Sequence, residues 1–168
     1  MTTTTDATPA APSASNAHDG QRIGDTSEFT LFFDVKPGMG QKLRESIQKV
    51  RENSANREKF VSIGTVHEFR WVIFDNGARL MFASSFDGDW DKYIVDFAAI
   101  VPEAFDEVLQ WVEGYPGIKD PNINDYVHAH QVQAANYFRA YPNATTKEIQ
   151  KALRIQTAFE QLLDEAST

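Results

Sequence analysis

Asn76-Gly77 divides residues 65–86 into two runs rich in aromatic and β-branched side chains. Both central residues of a two-residue type I′ turn need positive φ, which Asn and Gly tolerate best, so the dipeptide predicts a β-hairpin. The turn sets the register. One face pairs Phe74 with Arg79, Val72 with Met81, Arg70 with Ala83 and Glu68 with Ser85; the other pairs Ile73 with Leu80, Trp71 with Phe82, Phe69 with Ser84 and His67 with Phe86. Side chains alternate along a strand, so the two faces differ in chemistry. The face of His67, Phe69, Trp71 and Ile73 is apolar and reads as core. The opposite face sets Glu68 and Arg70 against small residues, which fits either a cavity or a wetted surface.

The rest of the chain arranges itself around this hairpin. Before it comes an alternating strand over 29–35, with Phe29, Leu31, Phe33 and Val35 on one face and Thr30, Phe32 and Asp34 on the other. Pro37 and Gly38 break it, and Leu43, Ile47 and Val50 give a helix over 41–56 its apolar stripe. After the hairpin, a helical region from Trp90 restarts at Pro102 and ends near Gly114. A short helix or loop over 122–130, a last strand over 132–141 and a helix capped by Thr145 or Thr146 complete the chain. The predicted fold class is α+β: a ferredoxin-like βαββαβ antiparallel sheet with helices on one face, plus an extra C-terminal helix. The face away from the helices would carry Phe32, Val72, Phe74 and Met81, too apolar for ordinary solvent, and so predicts a pocket or a homodimer made through the sheet.

Residues 1–27 hold no aromatic side chain and are rich in Thr, Ala, Ser and Asp, a composition that predicts a disordered tail before a single domain over 28–168. His18 lies in it and is set aside. The tail lacks the basic and apolar regions of a secretory signal, and no run approaches the roughly 18 apolar residues of a membrane span, so a soluble, cytoplasmic protein is expected. A net charge of −8 argues against nucleic acid and against anionic membranes as partners. The chain has no cysteine, which removes thiolate nucleophiles, disulfides and cysteine-type metal sites.

Two strings carry a family likeness: Phe86-Asp87-Gly88-Asp89-Trp90 with Tyr93, Asp96 and Phe97, and Ala140-Tyr141-Pro142 with Thr145 and Ile149. With the element order, they make residues 29–163 resemble the dimeric α/β-barrel superfamily, which includes antibiotic-biosynthesis-monooxygenase-like proteins, heme-degrading monooxygenases, chlorite dismutase and dye-decolourising peroxidases. The resemblance implies a homodimer of packed sheets and a pocket that takes heme or a polycyclic substrate. The chain departs from the better-known enzymes in having neither a peroxidase motif nor the Asn-Trp-His set of a heme-degrading monooxygenase.

Three groups of residues are candidates for chemistry. His128 and His130 precede the last strand; a neutral imidazole can ligate heme iron, so they are the candidate cofactor ligands, the alternative being surface or helix-end residues. If strand-like, their spacing of two puts both on one face. His67 is a candidate general base in an aromatic pocket, or else a hydrogen-bonded structural residue. Glu68, Arg70, Tyr137 and Arg139 fall on the opposite sheet face with Asp34, where an arginine could meet a carboxylate or enolate while Glu68 and Tyr137 move protons. Interface or solvated ion pairs are the alternative there. No metal site is predicted. The reading is a small enzyme acting on a hydrophobic or aromatic ligand, with heme-dependent oxidoreduction as one form of it; the alternative is a non-catalytic binding or interaction module that uses the open sheet face.

Overall fold

The computed structural model describes residues 20–166 of the chain. The strands are β1 (Arg22–Ile23), β2 (Thr26–Asp34), β3 (Val66–Phe74), β4 (Arg79–Asp87) and β5 (Gln131–Val132). The helices are α1 (Gly40–Glu52), α2 (Ser54–Ile63), α3 (Trp90–Ile100), α4 (Pro102–Leu109), α5 (Ile123–His130) and α6 (Thr146–Ala166). The sheet order is β1-β2-β4-β3, with β5 also on β2 and every pairing antiparallel. Leaving β1 aside, the order β5-β2-β4-β3 is that of the split β-α-β unit: fourth, first, third, second.

The hairpin forms in the predicted register from Phe74↔Arg79 through Glu68↔Ser85. Asn76 and Gly77 take φ values of 54° and 92°, and the Ala78 N–H donates to the Asp75 carbonyl at 3.0 Å, closing the turn. β2 lies along the other side of β4. Its inward residues Phe29, Leu31 and Phe33 join Leu80, Phe82 and Phe86 of β4 under α3, α4 and α5. Aromatic rings dominate this core: Phe29 meets Tyr93 edge-on at 5.5 Å, and Phe97 meets Phe105 at 5.0 Å. Ser84 is the polar intruder. Its hydroxyl lies 2.5 Å from that of Tyr93 and donates to the Glu68 carbonyl at 3.0 Å, so the buried groups are satisfied. Burial pushes the Tyr93 phenol above its ordinary range.

Four local expectations differ from the fold. The helix over 41–56 is two helices, because Asn53 takes extended backbone and caps α2 by accepting from the Ala55 N–H. The chain is ordered earlier than Phe29: β1 and the start of β2 fall inside the stretch read as tail, and Thr26 and Ser27 are buried. Residues 1–19 of that tail, His18 among them, lie outside the described residues. The last strand is two residues long instead of ten. Its place beside β2 is limited, since β5 pairs with Thr30 and Leu31 while β1 already occupies Thr26 and Ser27 on the same edge. Residues 133–145 therefore leave the sheet, and Val132 and Phe138 are exposed. The fourth difference concerns His67.

Candidate functional site

The β3–β4 ladder slips by one residue at its far end: Val66, not His67, pairs with Phe86, while Glu68 keeps Ser85. His67 is the extra residue of a β-bulge. A bulge breaks the strict alternation of a strand and re-aims the side chain it carries. Val66 takes the core side in its place and packs against the aromatic cluster. His67 turns outward to the face of Glu68, Ser85 and Asp87, so its expected place among Phe69, Trp71 and Phe86 is corrected. Two bonds hold the bulge at its ends: the Ser84 hydroxyl on the Glu68 carbonyl, and the Asp87 N–H donating to the Thr65 carbonyl at 2.8 Å.

On that outer face His67 Nε2 lies 2.5 Å from Asp87 Oδ1, and the two side chains are only 10% and 11% exposed. Asp87 Oδ2 accepts from the Thr146 N–H at 2.7 Å, and the Thr146 hydroxyl shares its one proton between this oxygen at 2.8 Å and the Gly64 carbonyl at 2.5 Å. Thr146 opens α6, so its N–H is one of those a helix leaves unbonded. The preceding turn is set by a reciprocal cap: Glu148 Oε2 accepts from the Thr145 N–H and hydroxyl, and Thr145 Oγ1 accepts from the Glu148 N–H. These bonds hold the Glu148 carboxyl below its ordinary range.

Residues 133–145 cross the outer face as a strap. It is tied down where Gln21 Nε2 donates to the Ala134 carbonyl at 2.5 Å and the Asp25 N–H donates to the Pro142 carbonyl at 3.1 Å. Arg139 thereby reaches His67: its Nη2 lies 3.0 Å from Nδ1 and from Nε2, and also donates to the Ala144 carbonyl at 2.9 Å. An arginine N–H can only donate, and Asp87 can only accept when ionised. Of the two ring nitrogens Nε2 alone also faces Asp87, while Arg139 Nη2 is equally close to both.

Two clefts meet at the bulge. The first, about 430 Å³, is lined by His67, Glu68, Ser85, Tyr137, Arg139 and Ile149 among others. The second, about 630 Å³, has a floor of Val50, Phe60, Val66, Phe69 and Trp71, with Arg51, Arg57 and Arg70 among its lining residues. His67 and Glu68 line both. Each volume falls in the range of small-molecule sites. By contrast, the space between sheet and helices around Phe29, Phe82, Phe97 and Phe105 is about 30 Å³ and is a packed core, whereas Phe69 and Trp71, read from the sequence as pocket or core, are half-buried and line the second cleft beside His67.

The structure therefore gathers His67, Glu68, Tyr137 and Arg139 at one cleft and leaves Arg70 on the rim of the other. Tyr137 and Arg139 arrive on the strap and not on a strand. Asp34 stands apart, 3.7 Å from Arg79. His128 and His130 lie on α5, where a spacing of two puts them on different sides of the helix. His128 stacks on Trp90 at 4.2 Å, and His130 stacks on Phe33 at 5.1 Å while its Nδ1 meets the Tyr126 carbonyl. Those positions do not present a pair of ligands to one iron. Among the described residues, no three metal-ligating side chains gather, and no helix is long and apolar enough to cross a membrane. Asp87 and Thr146 were missed. Asp87 reads as part of a turn; continuing the outward alternation Ala83, Ser85, Asp87 one step further would have found it.

No protein-family model matches this chain, and no curated protein matches it. Among solved structures it is similar to tetracenomycin F2 cyclase from Streptomyces glaucescens, a type-II polyketide cyclase, at 12% identity and a TM-score of 0.39, covering 67% of this chain and 97% of that one. A likeness so remote says nothing about activity.

Proposed function

We propose that this chain is a small-molecule enzyme that moves a proton at His67, on a ligand with an apolar or aromatic body and an anionic or enolisable group. The observation that carries the reading is the chain of contacts Asp87–His67–Arg139 at a cleft of about 430 Å³. Asp87 faces Nε2 and would stabilise the imidazolium once formed. Arg139 Nη2 stands 3.0 Å from both ring nitrogens and so covers Nδ1, the nitrogen that would act as base. A ligand oxygen that draws the guanidinium to itself frees Nδ1, and the same guanidinium then faces the developing oxyanion. Glu68 and Tyr137 line the cleft as the groups that return the proton. The apolar floor beyond Glu68 takes the body of the ligand, with Arg70 at its rim. For heme-dependent oxidoreduction the candidate ligands His128 and His130 would each have to leave an aromatic stack, on Trp90 and on Phe33.

A second reading has its own observation. Asp87 Oδ2 is occupied by two bonds from Thr146, so the network also fastens the start of α6 to the sheet. Without chemistry, this would be a clamp in a binding module. A panel of aromatic ketones and carboxylates, screened by binding and by solvent-deuterium exchange, separates the two. Arg139→Met should weaken binding of an anionic hit by about 1.5–3 kcal/mol, the range for a hydrogen bond to a charged group, while Arg70→Met, at a side chain that is 61% exposed, should cost less than about 1 kcal/mol. His67→Gln should abolish exchange and retain binding. Exchange that survives His67→Gln would exclude His67 as the base; binding without exchange in the native chain would favour the clamp.

A further inference from the structure

We propose that the ligand is an aromatic diacid, and that the second cleft binds its second acid group through Arg51 and Arg57 while the first acid reaches Arg139; this rests on the reading of the His67 cleft given above. The titratable lining of the second cleft is Arg51, Arg57 and Arg70 with His67 and one carboxylate, Glu68. That surplus of positive charge stands in a chain whose net charge is −8. Arg70 has Glu68 as a partner, at 3.7 Å. Arg51 and Arg57 have no ion pair among the described residues, and the acids next along their helices, Glu52 and Glu58, do not line the cleft. Helix position accounts for Arg51, which lies in the last turn of α1 at the negative end of its dipole. It does not account for Arg57, the fourth residue of α2, at the end where the dipole disfavours a cation. An anion placed between the two relieves their mutual repulsion.

The floor beside these charges selects an aromatic body. Phe60, Phe69 and Trp71 line it and are half-buried, with Phe60 tilted against Phe69 at 4.8 Å. Rings left partly uncovered offer faces and edges to a further ring. The placement of the cations then sets the number of acids. β3 is an edge strand, and the two clefts meet at its bulge, where His67 and Glu68 line both. Arg139 lines the first cleft only, and Arg51 and Arg57 line the second only. Glu68, in the wall the clefts share, repels an acid placed between them. A ligand with one acid leaves one set of arginines bare, and the half-buried Arg139 is the better claimant for it. A ligand with an acid at each end meets both sets and keeps its ring on the aromatic floor.

Titration calorimetry on the full chain tests this with three probes: naphthalene-2,6-dicarboxylate, 2-naphthoate and decanedioate. The aromatic diacid should bind about tenfold more tightly than the aromatic monoacid, roughly what two exposed charge contacts supply together, and the preference should shrink as salt is raised. Decanedioate, with two acids and no ring, should bind more weakly than the aromatic diacid. Changing Arg51→Gln and Arg57→Gln together should bring diacid and monoacid to equal affinity and leave 2-naphthoate unaffected, whereas Arg51→Lys with Arg57→Lys should keep most of the preference. The preference should also persist in His67→Gln, so the site and the base are read separately. Diacid preference without solvent-deuterium exchange in the native chain would support this site and remove His67 as the base. Exchange without diacid preference, a preference that survives the double glutamine change, or a chain that binds none of the three probes would each overturn the proposal.

Discussion

Asp87 divides its two oxygens between two elements, and this division lets one carboxylate orient His67 and fasten Thr146 at once. A carboxylate at a strand end, with several donors, is a strong anchor for a helix start. Another acid on the same face is in the opposite situation. Glu28 is 7% exposed, and burial raises its carboxyl above the ordinary range although it accepts from the Gln21 N–H. A carboxyl raised in the folded state contributes stability below its unfolded value, near 4.3, and loses that contribution as pH rises through the folded value. Glu28→Gln keeps an acceptor for Gln21 and removes the charge. It should stabilise the fold at pH 7 and leave it nearly unchanged near pH 4, as read by urea denaturation at the two pH values. Neither acid's role was legible in the chain. Glu28 takes its backbone partner from Gln21, whose own side chain is held by the Ala134 carbonyl, 113 residues along the chain.

At the scale of elements, the hairpin was legible almost to the residue, because a two-residue turn with demanding φ values leaves one register open. The bulge was not. Alternation predicts His67 inward, and nothing in the local run 65–69 marks the insertion. The bonds that hold it come from Ser84 and Asp87 on the neighbouring strand. Ser84→Ala should therefore do two things: leave the buried Tyr93 hydroxyl without its partner, at a cost of about 1–3 kcal/mol in chemical denaturation, and loosen the bulge. A loss below about 0.5 kcal/mol would show that Tyr93 finds another acceptor and that the bulge stands without Ser84. The last strand failed for a related reason. Its residues alternate well enough, but the β2 edge is shared with β1, and competition for an edge is a property of the assembled sheet.

At the scale of the whole molecule, the βαββαβ order and the helix-covered core follow from periodicity, while the site depends on two segments that periodicity does not describe: the first turn of the sheet and the strap. Residues 20–27 hold the strap through Asp25 and Gln21, and Ser27 donates to the Gly88 carbonyl at 2.8 Å. Removing residues 1–27 should accordingly lower the melting temperature by at least about 4 °C relative to removing 1–19, the shift expected for a loss of 1–2 kcal/mol in a chain of this size. Equal melting temperatures would show that β1 contributes nothing to the fold. The proton network at His67 can be read outright from a long-range proton–nitrogen spectrum of the histidine side chains, recorded with and without an aromatic carboxylate that binds. His67 should appear as the Nε2–H tautomer, its Nδ1 should respond to the ligand, and Arg139→Met should lose that response. An Nδ1–H tautomer at His67, or a ligand that moves only His128 and His130, would contradict the proposed role of His67 as the base.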